Sequence, residues 1–330
     1  MRCATFLIGV LLILLLSDPA GAQSEPANES PDEETICAIT RSRDCSIDAA
    51  VKRGLFETGL RPRFPTGINC RTIDEHWAIS YTHKRSRESY HGGIDMPAPW
   101  GEAIVAAAAG TVVAKVTDPD RTQRGIEVII QHSPDDTGLP LWIYTSYGHF
   151  RSEPQVEVGQ RVAMGEVLGE TGNSGSRGER QKRVNRPRRP ALHFAAIFTE
   201  SSQYTIVRGT HVVPVDGRWA DPVALYRGLT PIDSHSMKGL PTSQKEVDIA
   251  VLLDSGEVIP PEAKIVWPYK CSRNALVPPP ERYCNGRRCS DGRQQSTSQS
   301  TKARRGGRGR CRGAADVRAC REARSRGPRL

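Results

Sequence analysis

Residues 103–175 are written in short apolar runs broken by glycine, and this pattern narrows the fold more than any other feature. "AIVAAAAGTVVAKV" (103–116), "GIEVIIQH" (125–132) and "LWIYTSYGHF" (141–150) are rich in Val, Ile or aromatic residues and bounded by Gly or polar turns. Runs of this kind read as strands. "PDDTGLP" supplies a turn between the second and third. "VEVGQRVAMGEVLGETGNSG" (156–175) sets Gly at short intervals, as tight turns of a compact β sandwich or barrel require. The chain is therefore expected to be mainly β, an antiparallel two-sheet sandwich.

The flanks differ from this middle. The chain opens with Met1-Arg2, an apolar run from Phe6 to Leu16 and the small-x-small sequence Ala20-Gly21-Ala22. Eleven apolar residues are too few to span a bilayer, so residues 1–22 read as a secretory signal peptide. No transmembrane segment is expected after its cleavage, and the mature protein is expected to be exported to the periplasm or cell envelope. Losing Cys3 leaves eight cysteines: Cys37, Cys45, Cys70, Cys271, Cys284, Cys289, Cys311 and Cys320. An even set in an exported chain suggests disulfides, in any of 105 pairings. No cysteine falls between 71 and 270, so that region must hold itself together by packing. Residues 23–35 are acidic and poor in large apolar groups and are expected to be disordered. "SIDAAVKRGLFETGL" (46–60) is a short helical candidate and "EVDIAVLL" (246–253) a further strand. Residues 285–330 are Arg/Gly/Ser-rich and expected to be flexible.

Net charge is +9, but residues 281–330 alone hold fifteen Lys/Arg and four Asp/Glu, which leaves the rest at −2. The basic character belongs to the tail. No helix-turn-helix, aromatic-rich basic platform or zinc finger accompanies it, so no nucleic-acid partner is expected.

Four pieces carry candidate chemistry: "HGGIDMPAPWGEAIVAAAAGTVV" with His91 and Asp95, "YTSYGHF" with His149, "VGQRVAMGEVLGETGNSG", and "ALHF" with His193. In this order they resemble the lysostaphin/LytM-type zinc endopeptidases, a family built on a hybrid-motif, barrel-like β domain that cuts peptide cross-bridges of bacterial peptidoglycan. "GRWADPVALY" (217–226) also resembles the Asp-Pro segment that closes that domain. The resemblance covers residues 71–228. Residues 23–70 are then an N-terminal Cys-containing segment, 229–284 a C-terminal extension and 285–330 a tail. The resemblance implies Zn²⁺ held by His91, Asp95 and His193, on the sheet that floors a groove. Two imidazoles and one carboxylate suit a catalytic zinc with a fourth position open to water. It also implies His149 as a catalytic histidine beside the metal. The two glycines after His91 let the backbone turn and place Asp95 beside it. His132 ends a strand and is assigned a structural role, while His76, His83, His211 and His235 match no ligand position.

Two departures matter. The family signature is H-x-H, and the position of its first histidine is Ala191 here. Residues 191 and 193 of a strand project to the same side, about 7 Å apart, so a catalytic imidazole is missing while every ligand position is filled. The second departure is "SRGERQKRVNRPRR" (176–189), seven Lys/Arg against Glu179, inserted before that strand. It suits electrostatic docking of the free carboxylates of peptidoglycan stem peptides. The expected partners are those stem peptides or cross-bridges. The loss at Ala191 also resembles non-catalytic LytM-domain relatives that activate cell-wall amidases, and the competing reading is a regulatory or binding module acting on an amidase or on peptidoglycan. A biotinyl- or lipoyl-carrier barrel is disfavoured, because no lysine stands where such a domain presents one.

Overall fold

The computed structural model describes residues 29–42, 44–74, 78, 90–175, 189–279, 283–284 and 287–288. The chain divides into two units, Met1–Tyr283 and Cys284–Leu330, and the second is described at three residues in extended conformation. Residues 1–28, the basic insertion 176–188 and nearly all of the tail lie outside the described residues. Among the described residues no helix is long and apolar enough to cross a membrane.

Two helices come first, α1 (Glu33–Thr40) and α2 (Ile47–Lys52). The strands are β1 (Arg61–Arg63), β2 (Ile94–Pro97), β3 (Ala103–Val105), β4 (Gly110–Val116), β5 (Glu127–His132), β6 (Trp142–Gly148), β7 (Arg161–Val162), β8 (Val167–Glu170), β9 (Ala191–Thr199), β10 (Tyr204–Val207), β11 (His211–Pro214), β12 (Arg218–Ala220), β13 (Glu246–Asp248), β14 (Val251–Leu252) and β15 (Val258–Ile259). The expected strand 103–116 is broken at Ala106–Ala109 into β3 and β4, and 246–253 into β13 and β14.

The mainly β, antiparallel expectation holds. The large sheet runs β12-β9-β6-β5-β4-β7, with β2 sharing an edge of β9 with β12. Every pair in it is antiparallel. The other sheets have two strands each, and β1–β13 is parallel. The large sheet has two unlike faces, because side chains alternate along each strand. Leu192, Phe194, Ala196, Tyr147, Val128, Ile130 and Val112 point into the main core, which also takes Ile104 and Leu168 from the β3–β8 pair. The opposite face carries Asp95 and His193, then a smaller apolar cluster of Val113, Ala114, Ile129, Tyr144 and Val212.

Both flanking segments enter the main core, through Ile39, Leu55 and Leu60 from one side and Val247, Trp267 and Tyr269 from the other. Among the described residues two disulfides serve them. Cys37–Cys45 closes a short loop, and Cys70–Cys271 joins residues 201 apart. The stretch 71–270 thus has no cysteine of its own but is tied at its two ends. The expected disorder of residues 23–35 is corrected at its end: Glu33, Glu34 and Thr35 begin α1. Asp32 caps the helix through Thr35 N at 2.7 Å, and Thr35, Ala38 and Ile39 are buried beneath it. The helical candidate 46–60 stops at Lys52. Gly54 follows at φ +98°, and Leu55 is drawn into the core.

His132 lies on the core face of β5, fully buried. Its Nδ1 is 2.6 Å from Ala109 O and its Nε2 2.7 Å from Thr145 Oγ1. Burial lowers its pKa from 6.5 to about 4, against the hydrogen bond to Ala109.

Removing the long-range bridge with Cys70→Ser/Cys271→Ser should cost about 2–5 kcal/mol of unfolding free energy in a denaturant titration. A loss under about 1 kcal/mol would show that the core closes unaided. His132 gives a pH signature. A histidine whose pKa falls on folding contributes fully above pH 6.5, and that contribution fades as pH drops towards 4, by ~1.4 kcal/mol per unit. His132→Gln should flatten this part of the acid limb in unfolding curves taken between those limits. Identical slopes would mean the imidazole is charged in the fold.

Candidate metal centre

Strand register brings the first two groups together. In the β2–β9 ladder Asp95 stands opposite His193, and in the β6–β9 ladder His193 stands opposite Gly148. Directly opposed residues share a face with Cβ atoms about 5 Å apart. Asp95 Oδ1 is 3.0 Å from His193 Nδ1, and both side chains are buried.

His91 arrives differently. It was expected on the sheet, but it lies in the turn that enters β2, ahead of Gly92 and Gly93. Gly92 has φ +74°, a conformation that favours glycine. Gly93 is required for space, since a Cβ there would stand 2.4–2.5 Å from Cε1 and Nε2 of His193. The turn returns His91 Nε2 to 3.1 Å from Asp95 Oδ1 and 3.2 Å from His193 Nδ1.

Three potential ligand atoms therefore form a triangle with sides of 3.0–3.2 Å. Ligands about 2.0–2.1 Å from a tetrahedral zinc stand about 3.3 Å from one another. The donor set fits such an ion in chemistry as well. His193 is held neutral, since burial lowers its pKa to about 3 despite the hydrogen bond it can donate to Asp95. One carboxylate with neutral imidazoles is the form that binds a divalent cation.

His149 follows Gly148 and so sits one strand over from His193, with ring centroids 5.8 Å apart. Its φ of +70° is unusual for a residue with a side chain. Its own backbone enforces it: His149 N donates to Arg124 O at 2.8 Å and His149 O accepts from Gly172 N at 3.0 Å. His149 Nδ1 lies 2.8 Å from Ser174 O. A carbonyl only accepts, so Nδ1 carries the proton and the lone pair is on Nε2. Backbone strain of this kind is a recurrent mark of functional positions. Ala191 opens β9 opposite Pro97, buried, two residues before His193.

The remaining histidines are elsewhere or undescribed. His211 lies on β11 with Nδ1 2.8 Å from Thr210 Oγ1, and His235 packs on Phe56. His76 and His83 lie outside the described residues. Sequence reasoning missed a charged group on the same face. Glu127 stands opposite Gly148 on β5, fully buried, with Oε1 3.1 Å from Arg124 Nε and accepting from the Ser146 hydroxyl. Burial raises its pKa, against the pull of Arg124. Arg124 in turn fills the space above Gly148, its Cβ 3.2 Å from where a side chain there would begin. The signal was a carboxylate inside the Val/Ile run "GIEVIIQH", because a charge in such a strand needs a buried partner.

Residues 89–204, which include all four predicted positions, match the model of Peptidase family M23. No curated protein matches the chain. Among solved structures it is similar to a mutant catalytic domain of the prophage-encoded M23 protein EnpA from Enterococcus faecalis. The identity is 25% over 42% of this chain and 85% of that one, with a TM-score of 0.28. It is also similar to the catalytic domain of the antimicrobial peptidase lysostaphin from Staphylococcus simulans, at 20% identity over 37% and 74%, TM-score 0.27. A zinc-containing peptidase from Vibrio cholerae matches at 22% over 40% and 34%, TM-score 0.29. Structures with TM-scores this low carry no argument, and the family model matches residues 89–204 alone.

Metal analysis of the purified protein after zinc loading should give one equivalent. His193→Ala and Asp95→Ala should each lower it sharply, because three ligands become two. His149→Ala should retain it. Equal zinc in the Asp95→Ala protein would exclude this ligand set.

Proposed function

We propose, on the premise that residues 89–204 form a domain of peptidase family M23, that the chain is an exported zinc metalloendopeptidase acting on the peptide part of bacterial peptidoglycan. The observation that carries this reading is the His91–Asp95–His193 triangle, with His149 held beside it in a strained conformation. We take residues 71–228 as the catalytic unit and the flanks on either side as its supports.

His91, Asp95 and His193 hold the metal. When zinc is bound, the chemistry it supplies is polarisation of the scissile carbonyl and acidification of a water. Asp95 offers one buried oxygen to both imidazoles' side of the site and supplies the negative charge that favours a divalent ion. His149 presents Nε2 as a proton acceptor, its tautomer set by Ser174 O. It takes a proton from the attacking water and can return it to the leaving amine. The partner histidine of the family signature is absent at Ala191, so one group that steadies the developing charge is missing. A general acid–base group contributes roughly 10²- to 10⁴-fold, which makes the enzyme slow rather than inert.

Ala191 is also what favours a second reading, a regulator with the same fold and a bound metal that activates an amidase. The two readings part on one substitution. Ala191→His in zinc-loaded protein should raise release of peptide fragments from purified peptidoglycan by about 10²-fold or more, measured by mass analysis. A variant no more active than a His149→Ala control would sink the impaired-enzyme reading and leave the regulatory one.

A further inference from the structure

We propose that Arg41, carried on the loop closed by Cys37–Cys45, is a positioning residue of the metal centre that holds the His91 turn and sets metal affinity; this rests on the ligand assignment above. Asp95 and His193 are locked by strand register. His91 is not on a strand, so its place depends on what its turn packs against. The described contacts supply two anchors. His91 N donates to Ala78 O at 2.7 Å. On the other side, Arg41 Nη1 donates to the carbonyls of Tyr90 and His91 at 3.2 and 3.0 Å. The guanidinium also occupies the space that a side chain at Gly92 would need, with Cζ and Nη1 2.8 Å from an ideal Cβ. The turn and the arginine are thus shaped to each other.

Arg41 is itself fixed from two directions. It caps α1 in the left-handed region, φ 49°, with its N–H donating to Cys37 O at 2.9 Å. The Cys37–Cys45 bond closes the chain just beyond it. Its guanidinium lies over the Trp219 ring, 5.1 Å from the centroid, and Trp219 Nε1 donates to Ala38 O in α1 at 3.0 Å. Trp219 is paired with Ile197 on β9, the strand that carries His193. The chain of contacts β9, Trp219, Arg41, His91 references the loop ligand to the strand ligand. A group that orients a metal ligand from behind commonly changes affinity 10- to 100-fold when removed.

The test is the zinc dissociation constant of the full exported chain, measured by competition with a chromophoric chelator, alongside the melting temperature of the metal-free protein. Arg41→Gln should weaken zinc 10- to 100-fold while the metal-free protein still melts cooperatively. Arg41→Lys keeps a cation within reach of both carbonyls and should recover most of the affinity. Cys37→Ser/Cys45→Ser should shift affinity in the same direction as Arg41→Gln, and it carries the test together with Arg41→Lys if Arg41→Gln does not fold. The visible spectrum of the cobalt(II)-substituted Arg41→Gln protein should differ from that of the parent, which a purely stabilising role would not cause. Zinc affinity within twofold of the parent in folded Arg41→Gln overturns the proposal. Failure of the ligand reading looks different: the parent would bind no zinc, or Asp95→Ala would bind it as tightly.

Discussion

The ladder of β9 with β2 along one edge and β6 along the other sets Asp95, His193, Gly148 and, one strand further, Glu127 in a single row. A slip of one residue in β9 would send His193 into the main core and Phe194 out to the site. The core therefore guards the chemistry. Leu192, Phe194 and Ala196 are each buried on the opposite face, and a Leu or Phe side chain is worth about 1.5–3 kcal/mol when buried. The polar row is held in place by residues that take no part in it.

Within that row the side chains are graded by what they leave open. Gly148 contributes none, which gives Arg124 room to lie over the sheet between Glu127 and His193. Glu127 Oε1 lies 3.1 Å from Arg124 Nε, so the cation is paired where it lies over the sheet.

The site was legible in the sequence where its residues obey local rules. The family resemblance named His91, Asp95 and His193, which the fold does bring together, and Gly92 does turn the chain as expected. Strand ends were less legible, since Ala106–Ala109 and Ile249–Ala250 look apolar enough to continue a strand but bend for tertiary reasons. Two kinds of information were out of reach. One is pairing across long separations: Cys70 finds Cys271, and Arg41 finds a turn some fifty residues on. The other is the support of His91, because a loop's position is decided by neighbours that no local pattern announces. The acidic N-terminal stretch looked too polar to fold, yet its last residues are captured by a capped helix lying on the core.

The bond between Cys70 and Cys271 has a bearing on damage. Every residue from 71 to 270, including His91, Asp95, His149 and His193, lies inside one covalent ring. A single proteolytic nick anywhere in that ring, the basic insertion at 176–188 included, opens it without releasing a fragment. The two halves stay joined through sulfur. A cut between residues 95 and 193 with the bridge reduced would leave Asp95 and His193 on separate polypeptides. Integrity of the ring then depends less on an intact backbone than on an oxidised one.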